Sequence, residues 1–204
     1  MIAIELLKKE NMGRPREFDI DEALVIAGNL FWSNGYDRTS LSDLTGAMRI
    51  TPPSFYFAFG SKEKLFQMVI DRYTAEQFIF FQEALREPTA RDVIKRLLYG
   101  FADIYTDSKH PPGCLALNSS LPCSSDDDPI RRKLAEAREQ SRELLCSRFK
   151  EAKSSGDLPA DTDPSSLARY VLMLVWGMAV EAQSGASRNE LRRAADAAIR
   201  SWTG

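Results

Sequence analysis

Apolar residues recur at three- and four-residue intervals along almost the whole chain, the spacing of one buried stripe on an α-helix. Ile20, Ala23, Leu24, Ala27, Leu30 and Phe31 form the first stripe. Asp19-Ile-Asp-Glu22 before it has capping-box spacing, with Asp where Ser or Thr is usual. Asn34-Gly35 is expected to stop this helix with a left-handed cap. Thr39 or Ser40 caps a second helix that packs through Leu41, Leu44 and Met48. Thr51 caps a third, with Pro52 at the first helical position, where a missing N–H costs nothing. Gly60 ends it, and Ser61 opens a long helix from Lys62 to Leu85 with Leu65, Phe66, Val69, Ile70 and Tyr73 on one side. Beyond Pro88 the pattern predicts helices over 90–108, 114–121, 129–154, 163–184 and 188–202. The breaks are His110-Pro-Pro-Gly113, Ser124-Ser-Asp-Asp-Asp-Pro129, Ser154-Ser-Gly-Asp-Leu-Pro159 and Ser184-Gly-Ala-Ser187. No stretch alternates as a strand would, and no segment repeats. The expected fold is all-α, with a three-helix unit over 13–64 and a larger helical body over 65–204.

At 204 residues, 44% apolar and 27% charged, the chain has the composition of an ordinary globular protein with a sizeable core. No apolar run approaches the roughly 18–20 residues that span a bilayer, so no membrane partner is expected. The opening Met-Ile-Ala-Ile does not begin a signal peptide, and the location expected is cytoplasmic. Translation starts at Met1 or at Met12, since the readable pattern begins at Gly13. Cys114, Cys123 and Cys146 form no C-x-x-C pair, and His110 has no partner at metal spacing; no disulfide framework, metal or cofactor is expected. With no carboxylate dyad, nucleophile–base pair or phosphate loop in view, an enzyme is not expected.

Residues 39–64 hold two short helical segments joined by a turn of about three residues, a pair that presents one short helix to the DNA major groove. Charge qualifies that reading. Residues 12–64 carry six Lys/Arg against seven Asp/Glu, a formal charge of −1 rather than a basic footprint. DNA affinity would have to come from the placement of a few cations and helix ends, doubled by a dimer. Pro52, Pro53 and Ser54 form the leading end of the second segment, which reaches base edges in such docking. The prolines read only by shape and apolar contact, Ser54 is the one polar reader, and DNA deformability supplies part of the specificity. Ser40 and Lys62 start helices, where free N–H groups and the dipole favour phosphate; a plain cap and a solvated lysine are the alternatives. Arg14 and Arg16 form either an arm toward a minor groove or phosphate, or an exposed basic tail. Phe55 and Phe59, four apart, pack the helix inward. Phe57 serves contact or packing equally well.

This N-terminal series resembles the TetR family of one-component bacterial regulators. The matching features are Gly13-Arg-Pro-Arg16, Phe31-Trp32, Asn34-Gly35-Tyr36, Thr39-Ser40, Ile50-Thr51, Phe55-Tyr56 and Phe59-Gly-Ser-Lys-Glu63. Pro112-Gly-Cys-Leu115 and Asp161-Thr-Asp-Pro164 extend it more thinly into the body. The resemblance implies a ligand-responsive repressor bound as a homodimer to a palindromic double-stranded DNA operator, with Tyr56 on a phosphate. It also marks a departure: Arg49 stands where many relatives have glycine, and either accepts a less favourable backbone or adds a phosphate contact.

A body of this kind would bind an effector and dimerise. Tyr170 to Val180 is apolar on all sides, so one face meets its own core and the other a second copy. With Leu191, Ala194, Ala195, Ala198, Ile199 and Trp202 it predicts a four-helix interface from two copies of 163–184 and 188–202. Phe78, Phe80, Phe81, Phe101, Tyr105, Leu117, Phe149, Met173 and Trp176 are core or pocket lining, with Asn118 placed to orient a ligand. No Lys or Arg falls clearly within these apolar faces, so a small apolar or aromatic effector is expected. Cys114 opens a helix, which lowers a thiol pKa; it is a redox or electrophile sensor or a small buried apolar residue. The rival to the regulator is a helical small-molecule-binding or thiol-sensing protein with weak or no DNA binding.

Overall fold

The computed structural model describes residues 19–120 and 129–201; Arg14, Arg16, Cys123 and Trp202 lie outside them. The described residues form α1 (Ile20–Asn34), α2 (Leu41–Met48), α3 (Pro52–Phe59), α4 (Lys62–Leu85), α5 (Ala90–Tyr105), α6 (Leu115–Ser120), α7 (Pro129–Ser154), α8 (Pro164–Gln183) and α9 (Arg188–Ser201), with no strand among them.

Local side chains start most of these helices. Asp19, Thr51, Ser61, Thr89 and Asp163 each accept a backbone N–H of the first turn, filling donors the helix itself leaves open. Ser40 does so in a full capping box with Asp43. The stop after α1 differs from the expected left-handed cap. Gly35 has φ 81° but ψ 162°, a region open to glycine that lies away from the left-handed helix. The turn must swing far enough for Thr39 to bury and donate its hydroxyl to the Gly35 carbonyl at 2.8 Å.

The buried side chains of these elements form one contiguous core with two parts. In the first, Phe31, Leu44, Phe55 and Leu65 are fully enclosed where α1, α2, α3 and the start of α4 meet. The Phe31 and Phe66 rings meet edge-on at 4.9 Å. The second part lies in the body, where α5 packs on α8 and α9 and α7 on α8, enclosing Val93, Leu97, Leu145, Phe149 and Val171. Helix α4 belongs to both. Its far end is held by Arg148 of α7, which donates to the carbonyls of Leu85, Glu87 and Pro88 at 3.1, 2.9 and 3.0 Å. Close to that end the Phe80 ring lies over Gly100, where a Cβ would come within 2.0 Å of it, so this close approach of α4 to α5 depends on residue 100 having no side chain.

Helix α8 is buried on one side only. Tyr170, Met173, Gly177 and Val180 stay exposed along the other. No helix among the described residues is long and apolar enough to cross a membrane, and none of their His, Cys, Asp and Glu side chains gather into a group that could hold a metal ion.

Candidate functional site

The outward face of α3 is defined by what packing leaves behind. Phe55 and Phe59 turn inward with ring centroids 5.4 Å apart. Tyr56 is left 52% exposed and Phe57 89% exposed, although burying either ring would stabilise the fold. Pro52 and Pro53 are also exposed, and the half-buried Ser54 shares a 3.0 Å hydrogen bond with the Thr51 hydroxyl. Helix α3 has no charged side chain, so cations near it must come from its neighbours.

Two such cations stand at the ends of those neighbours. Arg49 ends α2 in the left-handed conformation, φ 56° and ψ 40°, and is exposed. A side chain in that conformation costs about 1–2 kcal/mol, which glycine would not. The turn therefore carries the less favourable backbone, with a guanidinium in solvent as its visible product. Lys62 opens α4 with its ammonium 4.2 Å above the Tyr36 ring, which holds the charge at that helix start. Ser40 is different. Its hydroxyl donates to Asp43 at 2.7 Å, and this bond, with the Ser40 amide, holds the Asp43 carboxyl below the usual carboxylate range. The start of α2 thus already carries an anion.

A cavity of about 670 Å³ opens in the body among α4, α5, α6, α7 and α8. Phe78, Phe81, Phe101, Tyr105, Cys114, Leu117 and Trp176 line it. Four of the sequence candidates lie elsewhere. Phe80 covers Gly100, Phe149 is sealed in the core between α7 and its neighbours, Met173 faces outward with 60% exposure, and Asn118 is half-buried away from the cavity wall. The reason is geometric: a helical stripe identifies residues that turn from water, but not which of them border a void. The wall also includes Tyr73, Gln77 and, from α7, Lys133, Glu136 and Arg138, which corrects the expectation of a lining without cations. A signal for Arg138 was present, since Leu134, Arg138, Ser141 and Leu145 share one stripe of α7 at helical spacing.

One end of the cavity is polar but tightly enclosed. The Tyr73 hydroxyl donates to Cys114 Sγ at 3.2 Å. Burial pushes the Tyr73 and Tyr105 phenols well above their ordinary values and the Cys114 thiol up as well. The Tyr73 hydrogen bond, then the amides of Leu117 and Ala116, pull the thiol the other way but are outweighed, so the lowering expected at a helix start does not prevail. Arg138 is held below its ordinary value, also by burial. From Tyr73 the contacts run to the upper unit. Its ring meets Trp32 of α1 edge-on at 5.2 Å, and Trp32 stacks on His110 at 4.3 Å.

A three-helix unit that presents α3, carried on a larger helical body with a cavity, is the build of a helix-turn-helix regulatory protein. Residues 24–69 match the family model of bacterial regulatory proteins, tetR family, and residues 90–198 that of the tetracyclin repressor-like C-terminal domain. The HTH-type transcriptional repressor ComR of Escherichia coli K12 is 32% identical over 197 residues, 95% of this chain and 93% of its own. Among solved structures, a cysteine mutant of the TetR family transcriptional regulator CifR, complexed with 26-bp double-strand operator DNA, is 36% identical with a TM-score of 0.84, covering 93% of this chain and 100% of that one. A TetR transcriptional regulator from Rhodococcus is 43% identical with a TM-score of 0.63, covering 90% and 99%. The chain belongs to the TetR family.

Proposed function

We propose that this DNA-binding transcriptional regulator is a repressor that grips a palindromic operator as a homodimer and answers to a small effector. The observation that carries the reading is the exposed aromatic pair Tyr56 and Phe57 on an uncharged helix whose leading Pro52 and Pro53 are also exposed. Pro52, Pro53, Ser54, Tyr56 and Phe57 enter one major groove in this reading, while Arg49 and Lys62 face phosphates and Ser40, already paired with Asp43, caps α2. Arg14 and Arg16 serve as an arm. The DNA-binding unit spans 13–64, and the effector and dimer functions belong to 65–204. ComR bears the name of a repressor and CifR was captured on operator DNA, which supports the reading.

Dimerisation through α8 and α9 would cover Tyr170, Met173, Gly177 and Val180, a stripe spaced 3, 4 and 3 residues along α8. The exposed Ala194 and Ala197 of α9 allow close approach beside it. The effector occupies the cavity and shifts DNA affinity only through unequal affinity for two spacings of the reading heads. Tyr73 and Trp32 form the packed route from cavity to α1.

The test is fluorescence polarisation with DNA fragments flanking the protein's own gene, at two salt concentrations with non-specific competitor. Tight, competitor-resistant and salt-sensitive binding to one fragment is the expected result. Binding to no fragment, with the protein folded and dimeric, would favour a ligand-binding protein that no longer reads DNA.

A further inference from the structure

The amide of Gln77 is out of keeping with its surroundings. It lines the cavity, one helical turn from Tyr73 and one from Phe81 on the same face of α4. Its Oε1 is buried without a hydrogen-bond partner. The contrast with Gln67 on the same helix is direct, since that amide donates to Asp71 four residues on at 2.6 Å. The neighbours of Gln77 one turn away on its own helix do not do the same. Thr74 already donates to the Ile70 carbonyl at 2.8 Å, Tyr73 donates to Cys114, and Phe80 and Phe81 have no donor. A buried acceptor left open in this way is costly and marks a place where something outside the chain belongs.

We infer that Gln77 is a specificity-determining residue of the cavity, and that the effector is an aromatic molecule bearing a neutral hydrogen-bond donor, a hydroxyl or an N–H, that donates to Gln77 Oε1. The inference rests on the reading of the cavity as the effector site. Phe78, Phe81, Phe101 and Trp176 supply aromatic surface for the body of such a molecule. The wall carries charges of both signs, Lys133 and Arg138 against Asp71 and Glu136, so neither a carboxylate nor an ammonium head is favoured throughout, and a neutral donor is the species that answers the open Oε1 of Gln77.

The experiment is equilibrium dialysis of 2-naphthol and of 2-methoxynaphthalene against the full-length protein, with each probe read by its own fluorescence. The two share an aromatic body and differ in the donor. The wild type is expected to favour 2-naphthol by about tenfold, the size of one hydrogen bond to a buried group. Gln77→Met is expected to bring the two within about twofold by loosening 2-naphthol alone. Equal binding by the wild type, or a preference that survives Gln77→Met, overturns the inference while leaving the cavity reading intact. Binding of neither probe overturns both. Thermal unfolding without probe adds an independent check: Gln77→Met is expected to hold or raise the midpoint because it removes an unsatisfied buried oxygen, and a lower midpoint counts against the inference.

Discussion

Helices α3 and α8 both leave large apolar side chains in water, α3 through Tyr56 and Phe57 and α8 through Tyr170, Met173 and Val180. By hydropathy they look alike, yet their shapes suit different partners. Helix α3 has eight residues, two prolines at its start and no charge, and it projects from a small unit with Arg49 and Lys62 at the ends of its neighbours. A groove fits such a probe. Helix α8 has 20 residues, and its stripe runs over about three turns past Gly177, where a Cβ would meet nothing within 4 Å. A long shallow face with a gap at its middle is best covered by a matching long face. Exposure says that a surface needs a partner; length, curvature and nearby charge say which kind.

The comparison breaks most sharply at α8. Met173→Asp places a carboxylate inside the stripe of both copies and is expected to yield monomers by sedimentation equilibrium. Operator affinity should fall about 10²–10⁴-fold as two-headed binding is lost. A dimer that survives the change would move the interface elsewhere. On α3, Tyr56→Ala should weaken operator binding by about 10–100-fold, the range for a hydrogen bond to a charged phosphate, with sedimentation unchanged. Unaltered affinity would remove α3 from the groove.

A third test concerns the enclosed end of the cavity rather than either exposed face. Burial holds the Cys114, Tyr73 and Tyr105 protons more tightly in the folded chain than in the unfolded one. The stability this represents is fully present below the unfolded values, about 8.5 for the thiol and 10 for the phenols, and is lost as pH rises past them. Urea unfolding followed from pH 7 to 11 should show that decline, and Tyr73→Phe should remove the Tyr73 share of it while Tyr105 and Cys114 keep theirs. The smallest effect is expected at Arg49→Gly. Relief of the left-handed strain should raise stability by about 1 kcal/mol, while operator affinity falls only a few-fold and the salt slope drops by about one charge.

Much of this was legible in advance because it is local. Ser40, Thr51 and Ser61 cap the helices their positions announce, since a cap reaches only two or three residues along its own chain. Pro52 falls at the first position of α3 for the same reason. Phe55 and Phe59 were readable as packing residues because their spacing puts both rings on one face. Tyr73 and Gln77 were missed as cavity lining, the one because it sat in a core stripe and the other because a glutamine on a long helix reads as a solvated side chain.

By itself, then, the amino-acid sequence determined the helices, most of their starts, the family and the small unit that presents α3, because capping and periodicity act within a turn or two; it overran the end of α5, which stops at Tyr105 rather than 108. Only the tertiary structure decided that Phe101 borders a void while Phe149 is sealed, that Met173 looks outward, that Arg138 enters the cavity wall, and that burial outweighs the helix start at Cys114. A stripe is defined around one helix axis, whereas a cavity and its dielectric are made where several axes cross.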